Sequence, residues 1–187
     1  SNILVWFPVV TIVLASFIAM TKDNLKERLA FSTVSQLSYI VLGIFLANSL
    51  GILGGGLHIV MHAFGKITLF FAAGAILVAT HKTNISELNG LGRSMPWIFT
   101  FFAFGALSII GLPIFGGLWS KWFLLQGTIE YEPSLMLKWV MLGVLLLSSL
   151  LNILYLLSIP VAAFFKASSD SQKYTEAPLL CLIGMAI

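Results

Sequence analysis

The chain of 187 residues is 59% hydrophobic and only 9% charged, with a mean hydropathy of +1.02, against the roughly 25% charge of an ordinary soluble domain. Ten Lys and Arg against seven Asp and Glu leave a net charge of +3. That charge is too small and too dispersed for a nucleic-acid footprint, so nucleic acid is excluded as a partner and a polytopic membrane protein is indicated. One cysteine, Cys181, gives no internal disulfide and no Cys-based metal cage, and it leaves the redox compartment open.

A membrane helix needs about 20 apolar residues. The first candidate, Ile3 to Met20, carries Pro8, which such a helix tolerates as a kink, and no charged n-region or cleavage site precedes it. A loop with five charges follows from Thr21 to Arg28. The second span, Leu29 to Ala47, aligns Ser32, Ser35, Gln36 and Tyr39 along one face at helical spacing, a face that needs protein or water rather than lipid. After a turn at Asn48 and Ser49 comes the third span, Leu50 to Thr80, with Lys66 near its middle.

A polar loop, His81 to Met95, ends at Pro96, a residue suited to the first turn of a helix. Trp97 to Thr128 is too long for one ordinary span and is interrupted at Gly111, Pro113, Gly116 and Gly117. The pattern predicts a helix to Ile110 and a short broken helix from Pro113 to Gln126 carrying Lys121. Glu130, Tyr131, Glu132 and Pro133 read as an acidic connection. A long span from Ser134 to Phe165 and a polar tail from Lys166 to Ala177 precede a last apolar segment that stops at Ile187.

The expectation is an all-α polytopic transmembrane bundle of about seven helices with one discontinuous helix. Residues 1–187 read as a single transmembrane domain, a fragment of a longer protein, since the chain starts and stops inside apolar segments. If Trp97 to Thr128 crosses once, Lys22, Lys26, Arg28, Lys82, Arg93, Lys166 and Lys173 all fall on one side, the cytoplasmic side by charge bias. If it crosses twice, they split five against two.

The chemistry concentrates in His58-Ile-Val-Met-His62-Ala-Phe-Gly-Lys66. Steps of four advance about 400° on a helix, so the three titratable groups share one face, each offset about 40° from the last. Imidazole exchanges protons near neutral pH, and an ammonium at bilayer depth costs roughly 2.5 to 3.5 kcal/mol on insertion scales. The plainer alternative makes the histidines packing residues and Lys66 a snorkelling side chain, although its mid-span position offers no easy route out. His at i and i+4 is also zinc-protease spacing, but that signature needs Glu after the first His and Ile59 stands there. Axial haem ligation usually draws His from two facing helices, and no second central His is present. No metal site or cofactor is therefore expected.

Lys121 follows the break in Gly116-Gly117-Leu-Trp-Ser-Lys121-Trp122. Broken membrane helices expose backbone groups where they line a cavity or ion path, and a lysine there can respond to the field of the loose helix end. The alternative is an interfacial anchor flanked by Trp119 and Trp122. Lys138, one turn past Pro133, reads as snorkelling. Gly51 and Gly55 would let another helix approach closely.

These residues carry a resemblance. Arg28-Leu-Ala-Phe-Ser-Thr-Val-Ser-Gln36-Leu-Ser-Tyr39, His62-Ala-Phe-Gly-Lys66, Met95-Pro96, and Gly111-Leu-Pro113 leading to Gly117-Leu-Trp-Ser-Lys121-Trp122 resemble, in family order, the proton-conducting transporters. That family comprises the antiporter-like subunits of respiratory complex I, membrane subunits of related hydrogenases, and large subunits of Mrp-type cation/proton antiporters. The Ser-Thr-Val-Ser-Gln-Leu-Ser-Tyr and Ser-Lys-Trp segments and Ser148-Ser-Leu-Leu-Asn152 look most like the D-type branch of the Mrp antiporter subunits.

The resemblance implies that Lys66 is the central lysine of one symmetry-related half and that Lys121 is the lysine exchanging protons with the outlet. His58 and His62 would lie between them, with Ser32, Ser35, Gln36, Tyr39 and Lys26 as a secondary polar path. Asn24, Glu27 and Ile114 depart from the residues usual at their positions. The family's other half supplies a buried glutamate paired with a lysine, and no Asp or Glu lies inside a span here.

The expected function is proton translocation coupled to a monovalent cation, without a cofactor, in partnership with other membrane subunits in a lipid bilayer. A prokaryotic plasma membrane is the expected location, with an organellar inner membrane as the alternative. A rival reading makes the chain a pumping subunit of a quinone reductase or hydrogenase, and a third makes it a structural scaffold.

Overall fold

Asn24 starts the second helix four residues before its apolar run begins. Its side-chain oxygen accepts from the backbone N–H groups of Lys26 at 3.1 Å and Glu27 at 3.2 Å, satisfying donors that a helix start leaves open. The computed structural model describes residues 2–131, 135–167, 174, 176 and 179–186, and among them the protein is an all-α bundle. Its first elements are α1 (Asn2–Thr21), α2 (Leu25–Leu46) and α3 (Ser49–Thr80). Two short 3-10 turns, Ile85–Leu88 and Leu91–Arg93, lead to α4 (Pro96–Ile110). Then come α5 (Gly117–Glu130), α6 (Leu135–Asn152), a π turn at Ile153–Leu157, α7 (Ser158–Phe165) and α8 (Leu179–Ala186). Glu132, Pro133, Ser134, Lys173, Ala177 and Ile187 lie outside the described residues.

The break in the bundle has a specific cause. Gly111 adopts a left-handed φ of 88° that ends α4, a conformation glycine reaches without strain. The chain turns through Leu112 and Pro113, and helix resumes at Gly117, with Gly116 as its N-cap. A Cβ on Gly117 would lie 1.9 Å from the Ser108 carbonyl oxygen, so only glycine fits where α5 emerges. The expected start at Pro113 is therefore corrected to Gly117, and the expected end at Gln126 to Glu130. The expected long span from Ser134 to Phe165 is present as one helical run over Leu135–Phe165, widened locally by the π turn.

Residue pairs along α3 show how α4 and α5 relate. Gly65 meets Gly105 on α4, His58 meets Ser120, Gly54 meets Leu124 and Gly51 meets Gly127 on α5. Falling numbers on α3 thus meet rising numbers on α4 and then on α5, so both run antiparallel to α3, end to end. At 15 and 14 residues, each is about 20 Å long, too short for a hydrocarbon core of about 30 Å. Together they make one crossing.

That single crossing gathers the loop charges. Leu25 N–H donates to Thr83 O at 2.9 Å, Ile85 N–H to Asp23 O at 2.8 Å and Ser86 Oγ to Asp23 Oδ2 at 2.7 Å, locking the α1–α2 loop to the loop after α3. Gly90 N–H donates to Ala162 O at 3.3 Å, adding the end of α7. Lys22, Lys26, Arg28, Lys82, Arg93 and Lys166 therefore lie at one end of the bundle. Lys138 lies at the other, its Nζ donating to Ile129 O at 2.6 Å.

The largest apolar core packs Leu69, Ala72 and Ile76 of α3 against Ile98, Phe99 and Phe102 of α4 and Leu156 and Ile159 beyond. Ile67, Phe71 and Val78 of α3 are exposed instead, as a lipid-facing surface requires. Introducing a methyl at the break should show how tight it is. Gly117→Ala is expected to destabilise the protein by about 1–3 kcal/mol through overpacking, while Gly56→Ala, with nothing within 4 Å of its Cβ, should be near neutral. Thermal unfolding of both variants in detergent checks the contrast.

Candidate functional site

On α3 the four-residue spacing places His58, His62 and Lys66 on the face turned toward α2 and α5, and all three are buried. Lys66 is 6% exposed and Lys121 7%, which removes both the snorkelling and the interfacial-anchor readings. Trp119 and Trp122 are exposed at 57% and 50%, so they face outward while Lys121 between them faces in.

Each lysine is held by one backbone carbonyl. Lys66 Nζ donates to Leu29 O on α2 at 2.9 Å. Lys121 Nζ donates at 2.9 Å to Ile110 O, the last carbonyl of α4. A helix C-terminus carries partial negative charge on such orphan carbonyls, so the break gives Lys121 a carbonyl with no intrahelical partner. Lys121 Nζ also stands 5.7 Å from the centre of the Tyr39 ring, within cation–π range.

Between the lysines the imidazoles are stacked. His58 lies 5.4 Å from Tyr39 and 5.9 Å from His62, ring centre to ring centre, with tilts of 16° and 18°. Ser120 Oγ lies 3.0 Å from Gly117 O and 2.9 Å from His58 Nδ1. Its single proton can go to either: given to Gly117 O, it leaves His58 Nδ1–H to donate to the hydroxyl with a bare lone pair on Nε2, and given to Nδ1 it leaves the proton on Nε2, so Ser120 alone leaves the tautomer open.

That Nε2, both nitrogens of His62 and both amide atoms of Gln36 are buried without hydrogen-bond partners. Each such group costs about 1–3 kcal/mol, so five around one spot are a concentrated energetic liability. Gln36, His58 and His62 share an interstice of about 170 Å³ with Met61, Ser108, Ile109 and Gly117, and as packed it seats no water centre. Ser108 also lines a cavity of about 380 Å³ that opens between α3, α4 and α8 beside Gly65 and Thr68.

The other α2 residues turn away from this interstice. Ser35 forms a hydroxyl cluster with Ser16 of α1 at 2.8 Å and Ser148 of α6 at 3.3 Å, and Ser16 is 3.0 Å from Ser148. The Tyr155 hydroxyl of the π turn faces two acceptors for its one proton, Asn152 Oδ1 and Ser32 Oγ, the latter at 3.2 Å. Tyr39 Oη donates to Leu145 O at 3.2 Å. Lys26 is exposed on the first turn of α2 and does not join the cluster.

Sequence reasoning missed Ser16, Ser120, Asn152 and Tyr155 as site residues. Ser120 directly precedes Lys121, and its adjacency was the available signal. Among the described residues no three His, Cys, Asp or Glu side chains come together as a metal site would need.

Residues 1–148 match the family described as NADH:quinone oxidoreductase/Mrp antiporter, TM. The chain belongs to this family. It is 35% identical over 178 residues to NADH-quinone oxidoreductase subunit N of Desulforudis audaxviator (strain MP104C), covering 95% of this chain and 34% of that protein. It is similar to a chain of the Mrp complex from Dietzia sp. DQ12-45-1b, at 28% identity and a TM-score of 0.78, over 92% of this chain and 32% of that one. It is also similar to a chain of the membrane-bound sulfane sulfur reductase, an archaeal respiratory membrane complex, at 27% identity and a TM-score of 0.86, covering 98% and 30%. The chain thus spans about a third of the length of these proteins.

Removing the charge tests whether Lys66 is there for packing. Desolvating an ammonium costs several kcal/mol, and a single carbonyl hydrogen bond returns only part of it. Lys66→Met is therefore expected to stabilise the protein by about 1 kcal/mol or more. A lower unfolding temperature than the parent would instead mark the lysine as a structural fixture.

Proposed function

We propose that this chain is a half-channel moving protons across a membrane, with Lys66 as its central station, His62 and His58 as steps, and Lys121 as the outlet. The observation that carries the reading is the pair of buried lysines, each held by one neutral carbonyl. A carboxylate partner would hold the ammonium proton far more firmly; a lone carbonyl holds the side chain in place and leaves its proton exchangeable. The partnerless imidazole nitrogens between the lysines supply acceptors for that proton. Of the α2 residues expected as a secondary polar path, Gln36 lines the interstice and Tyr39 stacks on His58. Ser32 and Ser35 bond toward Tyr155, Ser16 and Ser148, and Lys26 is exposed, so the path proposed here runs through Gln36 and Tyr39 alone.

The parent assembly is read first as a Mrp-type monovalent cation/proton antiporter, with this chain as its D-type component and other membrane subunits as partners in the bilayer. Likeness to a chain of the Dietzia Mrp complex supports that reading. The 35% identity to an NADH-quinone oxidoreductase subunit N favours the second, a proton-pumping subunit of a respiratory complex. Neither needs a cofactor on this chain. With the basic loops gathered at one end, charge bias assigns that end to the cytoplasm, here of a prokaryotic plasma membrane.

The decisive variants are Lys66→Ala and Lys121→Ala in the full-length subunit within its complex. Each is expected to lower proton-coupled transport in proteoliposomes at least about tenfold, equivalent to about 1.4 kcal/mol or more. Transport at the parent rate in both would sink the proposal and leave the scaffold reading. Co-purification with small antiporter subunits favours Mrp, and with iron-sulfur or quinone-site subunits the respiratory complex.

A further inference from the structure

We propose that Gln36 is a positioning residue that fixes the tautomers of His58 and His62 by bridging them through its side-chain amide. The inference rests on the proton-path reading above and adds to it a residue that carries no proton itself.

The argument is a count of donors and acceptors. When the Ser120 proton goes to Gly117 O, His58 Nδ1–H donates to the Ser120 hydroxyl and His58 offers a bare Nε2, a choice that Ser120 alone does not make. Neutral His62 offers one N–H and one lone pair, both unpartnered. Gln36, wholly buried on α2, offers an NH₂ and a carbonyl, also unpartnered. All three line the same interstice.

A rotation within the Gln36 side chain that turns its NH₂ toward His58 Nε2 and its carbonyl toward the His62 N–H satisfies four of the five orphan atoms at once. The fifth, the His62 lone pair, is then left on the nitrogen away from the amide. Lys66 lies one helical turn further along the same face and has two further N–H groups besides the one given to Leu29 O. In that arrangement His62 accepts from the lysine side only, so the amide sets the direction of entry. An apolar side chain of the same shape would leave either tautomer open to both histidines.

Gln36→Met, nearly isosteric and without polar atoms, tests this in the full-length subunit within its complex, with Lys66 and Lys121 intact. Three readouts are taken: proton flux in proteoliposomes, unfolding temperature, and ¹⁵N NMR of imidazole-labelled histidine. The native protein is expected to show one tautomer for each of His58 and His62. The variant is expected to show mixed tautomers, at least a tenfold lower flux, and an unfolding temperature below the parent's, because His58 Nε2 and the His62 N–H lose the amide that paired them.

Mixed tautomers in the native protein would overturn the proposal, as would unchanged tautomers in the variant. A loss of flux with unchanged tautomers would reduce Gln36 to a packing residue, and an unfolding temperature equal to or above the parent's would mean that the amide made no bridge. If Lys66→Ala leaves transport untouched, the proton-path reading fails, while the tautomer measurement still decides whether Gln36 bridges the histidines.

Discussion

Everything in this bundle follows from the lack of water in a bilayer interior, where each polar group must find its partner inside the protein. The Lys121 hydrogen bond to Ile110 O is where that constraint shapes the backbone. An ammonium in mid-membrane needs an acceptor, and a carbonyl at a helix end has no intrahelical partner competing for its lone pairs. Ending α4 at Gly111 frees its last carbonyls, and Lys121 takes the one on Ile110.

α2 is the stave on which two polar systems meet. Toward α3 it presents the Leu29 carbonyl, which takes both the Thr33 hydroxyl at 2.8 Å and the Lys66 ammonium at 2.9 Å. Toward α1 and α6 it presents Ser32 and Ser35, which close hydroxyl contacts with Tyr155, Ser16 and Ser148. The second system is nearly saturated, with Asn152 Nδ2 as its unpartnered atom, and networks of that kind rigidify a core. The first is left unsaturated at five atoms. One side of α2 is thus a clasp and the other a place where hydrogen bonds can change partners. Arg28 ties the clasp to the charged end, donating to Lys22 O at 2.8 Å and to Tyr155 O in the π turn at 3.3 Å.

The sequence carried the spans, the His58, His62, Lys66 stripe and the Gly111-Leu-Pro113 break, because each is a local pattern: apolar length, four-residue spacing, or backbone punctuation. It did not carry the start of α5, since Pro113 can begin a helix and the close approach that requires glycine at 117 is to the Ser108 carbonyl of another helix, outside any local pattern. Nor could it reveal the π turn at Ile153–Leu157, which widens a run with no Gly or Pro at the turn itself. Ser16 stands in a span that is otherwise apolar, and its value appears only when three helices bring it to Ser35 and Ser148. The choice between one crossing and two was equally long-range, fixed by α5 following α4 down the face of α3.

The pattern of partnering limits how charge can be distributed at the site. Lys66, His62, His58 and Lys121 are all bases, and among the described residues no Asp or Glu side chain neutralises them, the nearest acids being at the helix ends. Like charges in a poorly screening medium repel strongly, so each proton taken up by one member disfavours uptake by the next, and the four titrate as a coupled set. A chain of bases without a counter-charge holds few protons at once and releases them readily. Holding more would require an acid supplied from outside these spans.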